Sequence, residues 1–334
     1  MKKTVLWFVK AAAAAAVAFG LMSVFCFFYY NLPIHYTEPS GASDYSRDKN
    51  AFAIHGTEGF SFQFTDDRGY VNSYPRKDDE IDILVMGSSH TEGFHINYDE
   101  NYTYVLNELL EEGGHDLFAY NIAASGHSLE RNIRNLESAI EEFQPKEYVV
   151  IEIPDLKLKT ASFLKLLDGT LEDLESVNDG IAGILQKSDA LRLLYYQMSQ
   201  VAVNKKLAAP KEEDPDLALL PEALYASLEQ AATVAKEHDL QLIIVYLSLV
   251  DYDYNGVLFE PEDIGDKELY QQVCEDLGIT FLDMYPAYEE MYNSTYRLPR
   301  GYCNTTTGVG HTNKYGHACV ARELYKCITK EDIE

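Results

Sequence analysis

Short apolar runs alternate with longer amphipathic segments along the chain from residue 80 onward. An apolar run of about four to eight residues is typical of a strand in a parallel sheet, and apolar residues at helical spacing indicate helices. We predict strands at Ile81–Met86, Leu117–Ala123, Tyr148–Ile153, Leu240–Leu247 and Ile279–Met284. We predict helices at Tyr104–Glu112, Ser128–Phe143, Leu220–His238, Lys267–Leu277 and Lys314–Ile328. This alternation predicts an α/β fold, a three-layer α/β/α sandwich around a five-stranded parallel sheet.

Residues 156–215 interrupt the alternation, because no strand-like run occurs there. Leucine-rich pieces with helical spacing, such as Leu164–Leu174 and Ile184–Val203, fill this stretch. We predict a helical insertion that caps the carboxyl edge of the sheet. Such a cap would shape a substrate pocket.

The N-terminus has a different pattern. Lys2, Lys3 and Lys10 precede an apolar stretch that runs from Ala11 to about Tyr30. At ~1.5 Å per residue, a helix of this length crosses a ~30 Å hydrocarbon core, and basic residues before it favour a cytoplasmic N-terminus. We therefore predict a cytoplasmic tail at 1–10, a transmembrane signal anchor at 11–32, and the remainder on the extracellular side of the cell membrane.

A cleaved signal peptide is the alternative interpretation, since basic residues before an alanine run also begin such peptides. The segment ends in the aromatic run 25–30 rather than in small residues, and this favours an uncleaved anchor. Residues 33–79 are polar, with prolines and glycines and no sustained periodicity. We predict that they form a juxtamembrane stalk that partly packs on a folded domain at 80–330.

The composition is strongly acidic, with 54 Asp and Glu against 27 Lys and Arg and a net charge of −27. This charge repels nucleic acid and anionic lipid surfaces, so we predict no nucleic-acid partner. Four cysteines lie beyond the predicted span, and both free thiols and a pairing such as Cys274 with Cys303 remain open. The spacing of the cysteines and histidines matches no ligand motif, so we predict neither a metal nor a cofactor.

Two segments carry candidate chemistry. Ser88 and Ser89 follow the first predicted strand in a small-residue turn, and His311 precedes the last predicted helix. Ligands of open α/β sheets bind at the carboxyl ends of the strands, where these segments could meet. A serine that gives its proton to a neutral imidazole is a nucleophile, so the pair indicates acyl-transfer chemistry.

The stretch Gly87–Gly93, with the sequence GSSHTEG, resembles the first block of the SGNH or GDSL-like hydrolase superfamily. The resemblance places Ser89 as the nucleophile, with its backbone N–H in the oxyanion hole, and Ser88 where aspartate is usual. Gly126, after the second predicted strand, matches the second oxyanion donor. The last block of the family matches GVGHTNKYGH, with His311 as the general base. The resemblance implies the flavodoxin-like SGNH fold for 80–330.

Two expected residues are missing. The third block normally supplies an asparagine, but the third strand ends in Ile153-Pro154-Asp155, and Gly308 occupies the place of the aspartate that orients the base. A backbone carbonyl, an asparagine such as Asn304, or a carboxylate from another loop could orient His311. We take Ser88, Asn304 and Asp155 as candidate supporting residues.

The resemblance and the anchor together predict a serine esterase or O-acyltransferase. The expected substrate is an acylated glycan of the cell envelope, or another ester, at the outer face of the membrane. A membrane acyl-donor protein is a further expected partner. The alternative function is a catalytically inactive SGNH-fold protein that binds or scaffolds envelope components, which the two missing residues favour.

Overall fold

The computed structural model describes residues 2–35, 46–75, 80–154, 157–172, 190–198, 214–261 and 266–332. The strands are β1 Tyr30–Asn31, β2 Ile34–His35, β3 Ser46–Arg47, β4 Phe52–His55, β5 Ser61–Phe64, β6 Ile83–Met86, β7 Ala119–Asn121, β8 Tyr148–Pro154, β9 Gln241–Leu247, β10 Asp251–Tyr252, β11 Leu258–Phe259 and β12 Thr280–Asp283. The helices are α1 Lys2–Tyr29, α2 Ser89–Glu92, α3 Tyr102–Glu112, α4 Leu129–Phe143, α5 Thr160–Leu167, α6 Leu220–Glu237, α7 Lys267–Leu277, α8 Tyr285–Thr295 and α9 Lys314–Thr329. Residues 190–198 are also helical.

Five strands form one parallel sheet in the order β12-β9-β8-β6-β7. Successive side chains of a strand point to opposite faces. Leu84 and Met86 therefore pack in the core shared with α4, α6 and α7, whereas Ile83 and Val85 pack in the core shared with α3, α8 and α9. The predicted three-layer α/β/α sandwich is confirmed, and its five strands are those that the apolar runs predicted.

The segment between the N-terminal helix and the sheet contains strands that the sequence pattern did not reveal. Strands β4 and β5 form an antiparallel hairpin, and β1 pairs with β4. The hairpin lies on the domain: Gln63 donates to the carbonyl oxygens of Gly93 and Ile96 at 3.0 and 3.1 Å. Part of the stretch predicted as a stalk therefore packs against the loop that follows α2.

A buried ion pair also joins this segment to the domain. Arg47 Nε donates to Glu92 Oε1 at 2.7 Å, and Arg47 also donates to the carbonyl oxygen of Ala123 at 2.9 Å. Both charged side chains are almost fully buried. Glu92 Oε2 in turn accepts the backbone N–H of Ser125 at 2.9 Å. The pair therefore holds the loop after β7, next to Gly126.

We expect Arg47→Met to lower the free energy of unfolding by about 3–5 kcal/mol, because it leaves the Glu92 carboxylate buried without its cation. Adding Glu92→Gln to this variant should recover part of the loss. Urea unfolding of the full chain in detergent, followed by circular dichroism, measures both. The matched control is Lys146→Met, which breaks the exposed pair with Glu80 and should cost less than about 1 kcal/mol. Equal, small losses in the two single variants would contradict the structural role of Arg47.

The N-terminal helix is joined to the domain without a linker. By length and composition, Lys3–Tyr29 is the one helix among the described residues that could cross a membrane. It leads directly into β1, where Tyr30 pairs with His55 of the hairpin. Tyr30 and Leu32 are only 5% and 8% exposed. The end of the apolar helix is thus part of the folded domain.

The inserted stretch 156–215 lies partly outside the described residues. Helix α5 packs against α6, and its Phe163 belongs to the core. The helical residues 190–198 contact the N-terminal strands: the ring of Tyr196 lies 4.7 Å from that of Tyr30, and Arg192 donates to Asn31 Oδ1 at 3.0 Å. The insertion is therefore attached to both the sandwich and the N-terminal sheet.

All five cysteines are free thiols. Cys274 is a residue of α7 and is buried in the core, whereas Cys303 is exposed, so the pairing left open by the sequence is not formed. Burial raises the pKa of Cys274 to about 12, which keeps this thiol protonated.

Candidate active site

Ser89 is presented by the turn after β6. Ser88 is the N-cap of α2, and its Oγ accepts the backbone N–H of His90 at 3.2 Å, a frequent role of serine at helix starts. Ser89 is the first residue of that helix. Its hydroxyl therefore stands at the carboxyl end of a parallel strand, where open α/β sheets bind ligands.

His311 lies on the loop between α8 and α9. Asn313 caps α9 by accepting the N–H of Tyr315 at 3.0 Å, and its amide donates to the carbonyl oxygens of Leu298 and Gly301. These bonds fix the loop, and His311 Nε2 comes within 2.8 Å of Ser89 Oγ. The structure thus brings together the two residues that the sequence blocks predicted, 222 positions apart.

The carboxylate beside His311 belongs to Glu58, which sequence reasoning missed. Glu58 lies in the turn of the β4–β5 hairpin. Its Oε2 accepts from His311 Nδ1 at 2.7 Å, and its Oε1 accepts the backbone N–H of His311 at 2.7 Å. Burial by itself raises the pKa of Glu58, but the hydrogen bonds and charge of His311 outweigh it and hold the pKa below its ordinary value. Glu58 is therefore ionised at neutral pH.

Two glycines explain why the carboxylate comes from a distant hairpin. Gly308, at the place of the usual aspartate, has φ +80°, a conformation that strains any residue with a side chain. A Cβ at Gly310 would lie 2.3 Å from Glu58 Oε1. The loop is thus shaped to receive a carboxylate from outside rather than to carry its own.

Asn304 supports the hairpin turn instead of contacting His311. Its Oδ1 accepts the N–H of Gly59 at 2.7 Å, and its Nδ2 donates to the carbonyl oxygens of Gly56 and Gly59 at 2.9 and 2.8 Å. These bonds enclose Glu58 from both sides. Of the three options weighed for orienting His311, the structure has the carboxylate from another loop.

Neutral histidines surround His311. The ring of His95 stacks on that of His311, with centroids 3.6 Å apart and 15° between the planes. Burial lowers the pKa of His95 well below its ordinary value, and burial together with the charge of His311 lowers that of His55 to about 4. Donor atoms of Glu58, His95 and His311 lie within 4.8 Å of one another. Because the two rings are nearly parallel, their nitrogen lone pairs do not converge on one point, as a tetrahedral metal site requires.

A second carboxylate lies under the turn that carries Ser88 and Ser89. Glu152, near the end of β8, is 1% exposed and accepts from Ser88 N–H and Thr91 Oγ1, each at 2.8 Å. Burial raises its pKa, and the bonds from Ser88 and Thr91 oppose that rise. Ser88 Oγ also lies 2.9 Å from the same carboxylate oxygen. Ser88 therefore ties the turn to Glu152, while Ser89 carries the hydroxyl that meets His311.

Ser89 and Gly126 each offer a backbone donor. Among the described residues, the N–H groups of Ser89 and Gly126 have no hydrogen-bond partner. The N–H of Ala124 donates to Gly87 O at 3.2 Å, which places the loop of Gly126 next to the turn that carries Ser89. Unpaired backbone N–H groups are the donors from which oxyanion sites are built.

Ser89 and Gly126 open into a cleft of about 450 Å³. Ile153 and Pro154 form one wall, and no asparagine side chain is present among its described lining residues. Asp155, the remaining candidate supporting residue, lies outside the described residues. The cleft is lined by Ser88, Ser89, His90, Gly126, His127, Ser128, Leu129, Glu130, Arg131, Ile153, Pro154, Lys157, Leu158, Lys159, Ser162, Phe163, Leu171 and Tyr270.

No protein-family model matches this sequence, and no curated protein matches it. Solved structures with a similar course of the chain include the esterase EstA from Pseudoalteromonas sp., at 13% identity and a TM-score of 0.40, covering 75% of this chain and 98% of the esterase. A GDSL-like lipase from Bacteroides thetaiotaomicron has 13% identity and a TM-score of 0.37, with 77% and 92% covered. A two-domain esterase active on acetylated mannans has 12% identity and a TM-score of 0.42, with 76% of this chain and 50% of that protein covered. Likenesses this distant carry no argument about function.

Proposed function

We propose that this protein is a serine-dependent esterase or O-acyltransferase. The observation that carries the proposal is the chain of hydrogen bonds from Glu58 through His311 to Ser89, at the edge of a cleft. Each member has the partner that its part in acyl transfer requires, and each comes from a different segment of the sequence.

The hydrogen bonds define the protonation state before reaction. Glu58 is ionised and accepts the proton on His311 Nδ1. In a neutral imidazole the other nitrogen then has a free lone pair, and His311 Nε2 accepts the Ser89 hydroxyl proton. The serine is thus hydrogen-bonded to a base in the correct tautomer.

In the first half-reaction, Ser89 Oγ attacks the carbonyl carbon of the ester and its proton passes to His311 Nε2. The carbonyl oxygen takes the electron pair and becomes an oxyanion, which the N–H groups of Ser89 and Gly126 stabilise. Collapse of the intermediate breaks the bond to the alcohol, and His311 gives the departing oxygen its proton. The product is an acyl-Ser89 enzyme.

In the second half-reaction, a hydroxyl compound attacks acyl-Ser89 and gives its proton to His311. Water as the attacking group releases a free acid, and a glycan hydroxyl yields a new ester. In either case Ser89 Oγ leaves with the proton from His311. Exclusion of water from the cleft would favour the glycan. A membrane protein that donates acyl groups would be the partner of the transferase form.

For the location, we infer a cell-membrane anchor that is not removed, with the cleft on the extracellular side. The supporting observation is the direct passage from α1 into β1, whose Tyr30 is buried in the domain. Because β1 pairs with the hairpin that carries Glu58, the site stays close to the membrane surface. Acylated glycans of the cell envelope near that surface are the substrates that fit this position.

The test is active-site labelling of the full chain in detergent with a serine-reactive fluorophosphonate. We expect mass spectrometry to find the phosphonyl group on Ser89, and Ser89→Ala and His311→Ala to abolish labelling. Ser125→Ala is the matched control, because its hydroxyl binds Glu92 rather than facing His311. Labelling at another residue, or none, together with full biological function of Ser89→Ala, would favour the alternative of an inactive binding protein.

A further inference from the structure

His90 directly follows Ser89 and lines the same cleft. Its Nδ1 accepts the backbone N–H of Thr312 at 3.1 Å and lies 2.8 Å from Thr312 Oγ1. A backbone N–H can only donate, so Nδ1 carries no proton. In a neutral imidazole the proton is then on Nε2.

The ring of His90 stays neutral. Burial lowers its pKa well below the ordinary value, and the nearby charges of Arg300 and His311 lower it further. Among the described residues, His90 Nε2 has no hydrogen-bond partner. This atom is not fully buried. A neutral N–H without a partner among the described residues is therefore available on a residue that lines the cleft and directly follows Ser89.

The backbone N–H groups of Ser89 and Gly126 lack partners among the described residues, and the wall at the end of β8 consists of Ile153 and Pro154, neither of which has a side-chain donor. We propose that the Nε2–H of His90 is the third oxyanion donor, in place of a side-chain amide. The inference rests on the proposed function. It involves no proton transfer: Nε2–H keeps its proton and forms a hydrogen bond that strengthens as negative charge develops on the substrate oxygen.

His90 also has a positioning contact, because Thr312 is the neighbour of His311. The two roles belong to different ring nitrogens and can be separated. An asparagine side chain reaches about as far as Nδ1 and can still accept from Thr312, but it has no group at the position of Nε2. A glutamine side chain extends its amide to the region of Nε2 and lacks the acceptor at the position of Nδ1.

The experiment compares His90→Asn with His90→Gln in the full chain in detergent, with p-nitrophenyl acetate as the substrate. Removal of one oxyanion donor typically costs about 10²–10³-fold in kcat, so we expect this loss in the Asn variant with little change in KM. The Gln variant should retain about ten times the kcat of the Asn variant. His115→Asn, at a histidine outside the cleft, is the matched control and should keep native kinetics.

Three results would overturn the inference: native kcat in the Asn variant, a lower kcat in the Gln variant than in the Asn variant, or equal losses in both. If the native chain lacks hydrolysis that depends on Ser89, the proposed function fails and this inference fails with it. Activity lost in Ser89→Ala but kept in His90→Asn overturns the role of His90 alone.

A second measurement needs no variant of His90 to be active. Phosphonylation of Ser89 places a phosphoryl oxygen where the oxyanion forms. In the native chain labelled with ¹⁵N-histidine, we expect the His90 Nε2 proton resonance to move downfield on phosphonylation, with the His90→Asn spectrum identifying it. An unchanged resonance would contradict the inference.

Discussion

Replacing Glu58 with glutamine is expected to lower kcat for ester hydrolysis by about three to four orders of magnitude, with little change in KM. The carboxylate holds the proton on His311 Nδ1 through a 2.7 Å bond and stabilises the imidazolium formed when Ser89 attacks. An amide removes the negative charge and can present its NH₂ to Nδ1, which places the ring proton on the nitrogen facing Ser89. The base is then in the wrong tautomer.

Steady-state kinetics with p-nitrophenyl acetate measure this loss, and the rate of labelling by the fluorophosphonate should fall in parallel. Glu80→Gln is the matched control, because that carboxylate pairs with Lys146 on the surface and should keep full activity. Glu58→Asp should retain more activity than the Gln variant, since it preserves the charge. A Gln variant with native kcat would remove Glu58 from the mechanism and leave Ser89 and His311 as a dyad.

Acidification is expected to destabilise the fold steeply between pH 7.5 and 5.5. His55 and His317 are 2% and 1% exposed, and burial lowers their pKa values to about 4 and about 3. The unfolded chain, with ordinary histidine pKa values near 6.5, binds protons in this interval that the native chain does not. Stability is therefore complete above about pH 6.5 and falls as the pH drops toward the native values.

The two histidines together account for a loss of about 3 kcal/mol over the interval. His90 and His95, whose pKa values are also lowered, add to this loss, whereas Glu152, whose pKa burial raises, offsets part of it. Urea unfolding of the full chain at pH 7.5, 6.5 and 5.5 measures the sum.

His317→Asn provides a test of the assignment. Asparagine can still accept the backbone N–H of Tyr102, which His317 Nδ1 accepts at 3.1 Å, but it does not titrate. The variant should lose about 1 kcal/mol less than the native chain between pH 7.5 and 5.5. His115→Asn, at a histidine that is not buried, is its control and should keep the native pH dependence. Stability that does not change with pH over this interval would show that these buried rings do not control it.

The strands of the sandwich were predictable because the apolar residues of each strand match the burial of its two faces. Val149, Val150 and Ile151 form an apolar run because both faces of β8 are covered by helices. The hairpin strands gave a weaker signal, since β5 buries Ser61 and Gln63 and leaves its phenylalanines exposed, the reverse of an apolar face turned inward. Short two-residue strands such as β1 are specified by their partners rather than by their own pattern.

Some residues of the site were likewise predictable from the sequence, and others were not. Ser89 and His311 were predictable because local motifs surround them, a cap and turn for one and the start of a helix for the other. Glu58 lies in no such motif. Its neighbours Gly56 and Gly59 indicate a hairpin turn, but the local sequence does not indicate which segment that turn contacts. Asn304 was considered as a residue that orients His311. It instead binds the turn that carries Glu58, and Glu58 contacts the histidine.

The sequence by itself determined the class of fold, the order of the strands along the chain and the presence of a serine and a histidine at strand and helix ends, because these follow from local periodicity and from short motifs. Only the tertiary structure decided which carboxylate reaches His311, that residues 46–75 pack on the domain, and that Thr312 binds Nδ1 of His90. Each of these depends on a contact between segments more than 40 residues apart, such as the 253-residue separation of Glu58 and His311. Contacts between such distant residues cannot be predicted from the sequence around either residue, since only folding brings the two within the range of a hydrogen bond.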